Sequence, residues 1–140
     1  MSSGLFLLAS ISLAFLWSYP AFVESDLRAD AQAVIDQAVA ATQAVITAAK
    51  SAETGGNKQI VETCVETSGE AIKNLGDCKE LLKSRDPSSI DTLKTRASAA
   101  LTDVVTCDDE FGASEPAPVK AATKKAEDLI HQLLQIVNKL

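Results

Sequence analysis

Apolar residues recur along this chain at alternating spacings of three and four, which is the stripe of an amphipathic helix. Four such stripes stand out. The first runs through Leu27, Ala31, Val34, Ala38, Ala41, Val45, Ala48 and Ala52; the second through Val61, Cys64, Ser68, Ala71, Leu75, Cys78 and Leu82. The third is Ile90, Leu93, Ala97, Ala100, Val104, Cys107 and Phe111, and the fourth Val119, Ala122, Ala126, Leu129, Leu133, Ile136 and Leu140. No strand-like alternation competes with them. Turn-forming residues separate the stripes. Thr54-Gly55-Gly56-Asn57 ends the first, with a glycine free to take a left-handed cap. Ser84-Arg85-Asp86-Pro87 turns the second into the third, with Asp86 placed to cap and Pro87 suited to a first helical turn. Gly112 to Pro118 leads into the fourth. Short connections make successive helices antiparallel neighbours, so the pattern predicts an all-α, up-down-up-down four-helix bundle.

The middle of the chain, Gln59 to Phe111, then reads as a helical hairpin folded about the Arg85–Asp86 bond. Positions 64 and 107 are almost equally far from that fold point, and both are cysteines. A disulfide needs Cα atoms within roughly 7 Å, which antiparallel neighbours provide. Cys78 follows Cys64 on one helix, roughly 21 Å away, and mirrors Leu93. The expectation is one inter-helix bridge, Cys64–Cys107, and one free thiol, Cys78, buried on the second seam. The first seam is mostly alanine, which buries little area per residue. The bridge matters for that reason: closing its loop contributes about 4 kcal/mol in the chain-entropy picture.

The start of the chain changes the picture. Leu5 to Trp17 is an apolar run too short to span a bilayer, followed by Tyr19-Pro20 and by Val23-Glu24-Ser25 with small residues at −3 and −1. Residues 1–25 therefore read as a signal peptide and 26–140 as the bundle domain. Of the 19 acids only Glu24 precedes residue 26, so the mature chain carries 18 acids against 13 bases, a net charge of −5. That acidity disfavours nucleic acid, anionic lipid and acidic polysaccharide as direct ligands, and suits a basic protein partner. Three cysteines in a secreted chain fit one bridge and a leftover thiol.

Catalytic chemistry finds no support. His131 is the single histidine and flanks the fourth stripe, without the partners a metal site needs. Gly55-Gly56 has no following lysine and no preceding strand, so it is a helix stop and not a phosphate loop. No nucleophile–base pair is present, and neither a cofactor nor a metal is expected. Glu62, Glu66 and Glu70 line one helical face, for which solvation is the ordinary explanation. Asp108-Asp109-Glu110 is more pointed. It ends the third helix, where the helix dipole disfavours anions, so local stability does not ask for three acids there and a contact is the alternative.

These residues resemble a family. Ala97-Ser98-Ala99-Ala100-Leu101 precedes Thr106-Cys107-Asp108-Asp109-Glu110-Phe111, after a cysteine-bearing Ala/Leu-rich helix and an Asp-Pro turn. In order and spacing this is similar to the plant invertase and pectin methylesterase inhibitors, secreted four-helix bundles with a disulfide between the second and third bundle helices. The resemblance covers roughly residues 27–140. It implies a secreted, cell-wall (apoplastic) protein that is not an enzyme. Its partner would be a protein: pectin methylesterase, or less favourably acid invertase, covered non-covalently over its substrate cleft. Invertase inhibitors resemble one another in a Pro-Lys-Phe motif at the turn after the second bundle helix; here the turn reads Pro87-Ser88-Ser89. The family also usually begins with a helical hairpin closed by its own disulfide, which has no room between Ser25 and Leu27. A structural or allergen-like bundle that has lost inhibition is the competing class. By resemblance the partner face lies around Thr106 on the outward sides of the second and third helices, with Glu66, Glu70, Thr102, Asp103 and Asp109 adjoining it.

Overall fold

The computed structural model describes the backbone of residues 2–140 and the side chains of residues 23–140. Nearly all of the expected signal peptide lies outside the residues whose side chains are described. Four helices follow in order: α1, Ser2–Ser51; α2, Lys58–Leu81; α3, Pro87–Phe111; and α4, Ala117–Val137, with a single 3₁₀ turn at Gly112–Ser114 before α4. α2 packs on α3, α1 on α4, and the ring closes through α1 on α2 and α3 on α4. Among the described residues there is no strand. The fold is the four-helix bundle that the stripes predict.

The seams of α2 and α3 are those read from the sequence. Val61, Cys64, Ser68, Ala71, Leu75 and Cys78 are buried on one, Ile90, Leu93, Ala97, Ala100, Val104, Cys107 and Phe111 on the other. The outer pair differs. On α1 the buried set is Ala31, Val34, Ile35, Ala38, Ala41, Thr42, Val45 and Ala49, while Leu27, Ala48 and Ala52 are only partly covered. Adjacent pairs such as Val34-Ile35 and Ala41-Thr42 are both inside, so α1 buries a wider arc than the single seams of α2 and α3. Thr42 is tolerated there because its hydroxyl donates to the Ala38 carbonyl at 2.7 Å.

On α4 the buried line is Val119, Thr123, Ala126, Ile130, Leu133 and Val137. It shares Val119, Ala126 and Leu133 with the expected stripe and replaces Ala122, Leu129 and Ile136 by the next residue in each case. Those three sit at the flank, half-buried. The wide apolar face of α4 allows either line. The observed one puts Thr123 inside, where its hydroxyl meets Asp108 of α3 at 3.1 Å.

The connections have specific locks. Asp86 accepts from the Ser88 backbone N–H at 3.0 Å and Pro87 opens α3, as their types predict. That hydrogen bond holds the Asp86 carboxyl below its usual range. The first connection corrects the sequence reading: neither Gly55 nor Gly56 takes a left-handed conformation. Asn57 does the work instead. Its Oδ1 accepts from the Thr54 N–H at 2.6 Å and its Nδ2 donates to the Ala52 carbonyl at 2.9 Å, so one side chain satisfies both sides of the loop. The glycine that needs its freedom is Gly112, at φ 56°, where α3 ends and the chain reverses toward α4.

Candidate partner-binding face

Cys64 and Cys107 are bonded, with Cα atoms 4.3 Å apart, and this bridge clamps α2 to α3 in register. Cys78, fully buried and unbridged, lies opposite Leu93 and donates weakly to its carbonyl at 3.6 Å. Burial, and secondarily the Asp77 charge, pushes its thiol up to about 12, so it stays protonated and unreactive at physiological pH.

The expected partner residues fall on this clamped pair. α2 contributes Glu66 and Glu70, both exposed; α3 contributes Thr102 and Asp109, exposed, and Asp103 and Thr106, half-covered. The two helices are tied across this side by Asn74, whose Nδ2 donates to Asp103 Oδ2 at 3.2 Å. Partial burial, with the Glu70 charge adding to it, raises the Asp103 carboxyl above its usual range, and the Asn74 hydrogen bond opposes the rise. Thr106 and Thr102 spend their hydroxyl protons on the carbonyls one turn back, at 2.8 and 3.1 Å. The structure thus brings Glu70 and Asp103 together and sets the others along the same helix pair.

Asp108 behaves differently from its neighbours Asp109 and Glu110, which are exposed. It turns toward α4 and accepts from Thr123. Glu115, just after the 3₁₀ turn, and Glu127, on α4, both lie within hydrogen-bond reach of it. Burial first, and Asp108 next, pushes Glu115 up to about 8 and Glu127 up to about 7. One of the three acids at the end of α3 therefore has an internal task, which the sequence alone did not show. The signal was separated by 7 and 19 positions and visible only once α4 folds back.

The remaining candidates offer no chemistry. His131 is exposed on α4. Among the described residues no group of three or more His, Cys, Asp or Glu is placed to hold a metal ion. No helix there is long and apolar enough to cross a membrane. Glu62, Glu66 and Glu70 are all solvent-facing.

The sequence model described as "Plant invertase/pectin methylesterase inhibitor" matches residues 10–140. The chain belongs to this family. As a plant invertase/pectin methylesterase inhibitor family protein it is of an inhibitor lineage and is not an enzyme. It is 35% identical over 137 residues to a pectinesterase inhibitor of Actinidia deliciosa, a match spanning 94% of this chain and 72% of that protein. A crystal structure of a pectin methylesterase inhibitor from Arabidopsis thaliana superposes with a TM-score of 0.72 at 26% identity, covering 81% of this chain and 78% of that one. A mutant form of a pectin methylesterase inhibitor from Arabidopsis shares the fold at a TM-score of 0.73 and 24% identity, over 92% and 89% of the two chains. The family match begins upstream of Ser25, so it takes in residues 10–25, and α1 runs without a break through the same stretch.

Proposed function

We propose that this protein is a secreted inhibitor of pectin methylesterase, binding without covalent chemistry over the enzyme's substrate cleft. The observation that carries the reading is the 35% identity to a pectinesterase inhibitor along nearly the whole chain. The turn after α2 supports the same choice over invertase. At the position where invertase inhibitors resemble one another in a cation and an aromatic, Pro87, Ser88 and Ser89 form the capped first turn of α3.

The contact face is the outward side of α2 and α3: Glu66 and Glu70 from one, Thr102, Asp103, Thr106 and Asp109 from the other. The disulfide keeps this face rigid, which lowers the ordering cost of binding. Its acids engage basic groups at the enzyme's cleft or share protons with enzyme carboxylates. The first gives binding that weakens with salt. The second gives binding that strengthens as pH falls, because protonation removes like-charge repulsion. The raised Asp103 carboxyl beside Glu70 favours the second.

Residues 1–25 act as the secretion signal, and the protein works in the cell wall. The apolar run Leu5 to Trp17 and the Val23-x-Ser25 site support this. N-terminal sequencing of secreted protein should begin at or near Asp26; retention of Leu5 to Trp17 would contradict it.

The deciding experiment titrates the purified mature protein against a plant pectin methylesterase and an acid invertase in parallel. Stoichiometric loss of pectin methylesterase activity, with invertase untouched, is the expected result. Loss of invertase activity alone would reverse the target. A helical, monodisperse protein that inhibits neither would leave the bundle with a structural role.

A further inference from the structure

The corner between α3 and α4 joins three carboxyl groups from three separate places in the chain. Asp108 comes from the last turn of α3, Glu115 from the segment after the 3₁₀ turn, and Glu127 from the third turn of α4. Both glutamates reach Asp108. Asp108 also meets the hydroxyl of Thr123, fully buried, whose single proton has two acceptors within range, Asp108 Oδ1 at 3.1 Å and the Lys120 carbonyl at 3.0 Å. Among the described residues no lysine or arginine forms an ion pair with any of the three carboxyls. Lys124, the near candidate, is paired with Asp128 at 3.8 Å. Glu115 Oε2 is shielded from solvent and has no hydrogen-bond partner among the protein's own donors.

Carboxylates are acceptors only, so two of them in hydrogen-bond contact require a proton between them. This corner supplies too few donors for three ionised groups. The charges acting on it are few. Lys120 favours ionisation of Glu115 and Lys124 that of Glu127, while Asp128 opposes the latter. The charges that act on the two glutamates lie on α3 and α4. The 3₁₀ segment Gly112–Ser114 contributes none.

The backbone at this corner is built to respond. Gly112, in the left-handed region, donates its N–H to the carbonyl of Asp108 itself. The path from Asp108 to Ala117 otherwise relies on short local bonds: Ser114 Oγ to the Phe111 carbonyl at 2.7 Å and the Glu115 N–H to the Gly112 carbonyl at 3.2 Å. At this level α4 is held against the end of α3 by the buried Phe111, Val119 and Ala126 together with Asp108 and the groups that meet it.

We propose that Asp108, Glu115 and Glu127 form a proton-operated latch between the end of α3 and the first turns of α4, closed in acid and loosened as the pH rises through neutrality. The direction follows from linkage. The folded corner binds protons more tightly than the unfolded chain, so between the ordinary glutamate range and the range these two reach, the native state carries more protons. Stability therefore falls as pH rises from about 4.5 to about 8, is unaffected by this latch below that window, and levels off above it. The latch is independent of which enzyme the protein inhibits.

Melting temperatures of the purified protein at pH 5 and pH 8 test this. All samples carry His131→Gln, so the one imidazole does not titrate in the window. The parent should lose on the order of 5 °C between the two values. Glu115→Gln/Glu127→Gln, whose amides donate to Asp108 without needing a proton, should lose much less. Amide protection between Asp109 and Lys124 should drop at pH 8, corrected for intrinsic exchange, while the corner between α2 and α3 holds. Carbon-13 titration of the glutamate carboxyls in the parent gives a readout that does not depend on a variant folding. Two carboxyls with midpoints above 6 are expected. Midpoints all near 4.5, or equal loss of melting temperature in the parent and the double variant, would overturn the proposal.

Discussion

Arg28 on α1 donates through its guanidinium to the backbone carbonyl of Leu82 at 2.7 Å, across the C-terminal end of α2. The same nitrogen reaches the Ser84 carbonyl at 3.3 Å. The last carbonyls of a helix have no partner within it and carry its negative end, so a cation from a neighbouring helix is suited to them on both counts. Arg28 also meets Glu24 at 3.3 Å, but that exposed one-turn pair contributes little. Cleavage after Ser25 would remove Glu24 and leave the cap. Replacing Arg28 by alanine should cost about 1–2 kcal/mol of stability, while lysine, with a single point donor, recovers part of it. Denaturant midpoints of the two variants check this. A midpoint unchanged by Arg28→Ala would mean the carbonyls are equally well served by water.

Ser68 occupies a core position of α2, with no exposed surface and no partner for its hydroxyl. A buried, unpaired hydroxyl costs on the order of 1–3 kcal/mol, and alanine removes the group without opening a large void. Ser68→Ala should therefore stabilise the protein by about 1 kcal/mol, read as a higher urea midpoint at unchanged slope. A lower midpoint would show that the hydroxyl finds a partner in solution.

Cys78 should be silent toward thiol reagents. Its thiol is buried against the Leu93 carbonyl and pushed up to about 12, so the reactive thiolate is scarce at pH 8. Ellman's reagent should count no thiol in the native protein and one after unfolding without reductant. Fast modification of the native protein would mean that the α2–α3 seam opens readily there.

The proposed partner face predicts an asymmetry between two exposed residues. Asp109 is on the α3 side of that face, and Gln37 is on α1, beside the groove between α1 and α4. Asp109→Lys should change inhibition of pectin methylesterase by 10-fold or more, roughly what one lost or repelled charge contact yields at an interface. Gln37→Lys should not change it. Neither should shift the helical signal or the melting temperature appreciably, since surface substitutions mostly stay within about 0.5 kcal/mol. Equal inhibition by both variants would remove the end of α3 from the face.

The sequence by itself determined the class of fold, the pairing of cysteines and the turn at Asp86-Pro87. Those depend on local rules: a stripe needs only the helical period, a hairpin mirror needs only equal arm lengths, and an Asx cap needs only its own backbone. The family resemblance was legible for the same reason, in contiguous runs around Thr106 and Cys107. Tertiary structure decided what depends on which helix lies next to which. It selected Thr123, Ile130 and Val137 over Ala122, Leu129 and Ile136, because an apolar face wide enough for two lines is settled by its neighbours. It gave Arg28 a carbonyl 54 positions away, and it moved the loop lock from the glycines to Asn57. It also divided the three acids that end α3. Asp109 and Glu110 face solvent, while Asp108 joins Glu115 and Glu127. Charge in a sequence says how many acids there are; only the packing of α4 against α3 says which of them must share a proton.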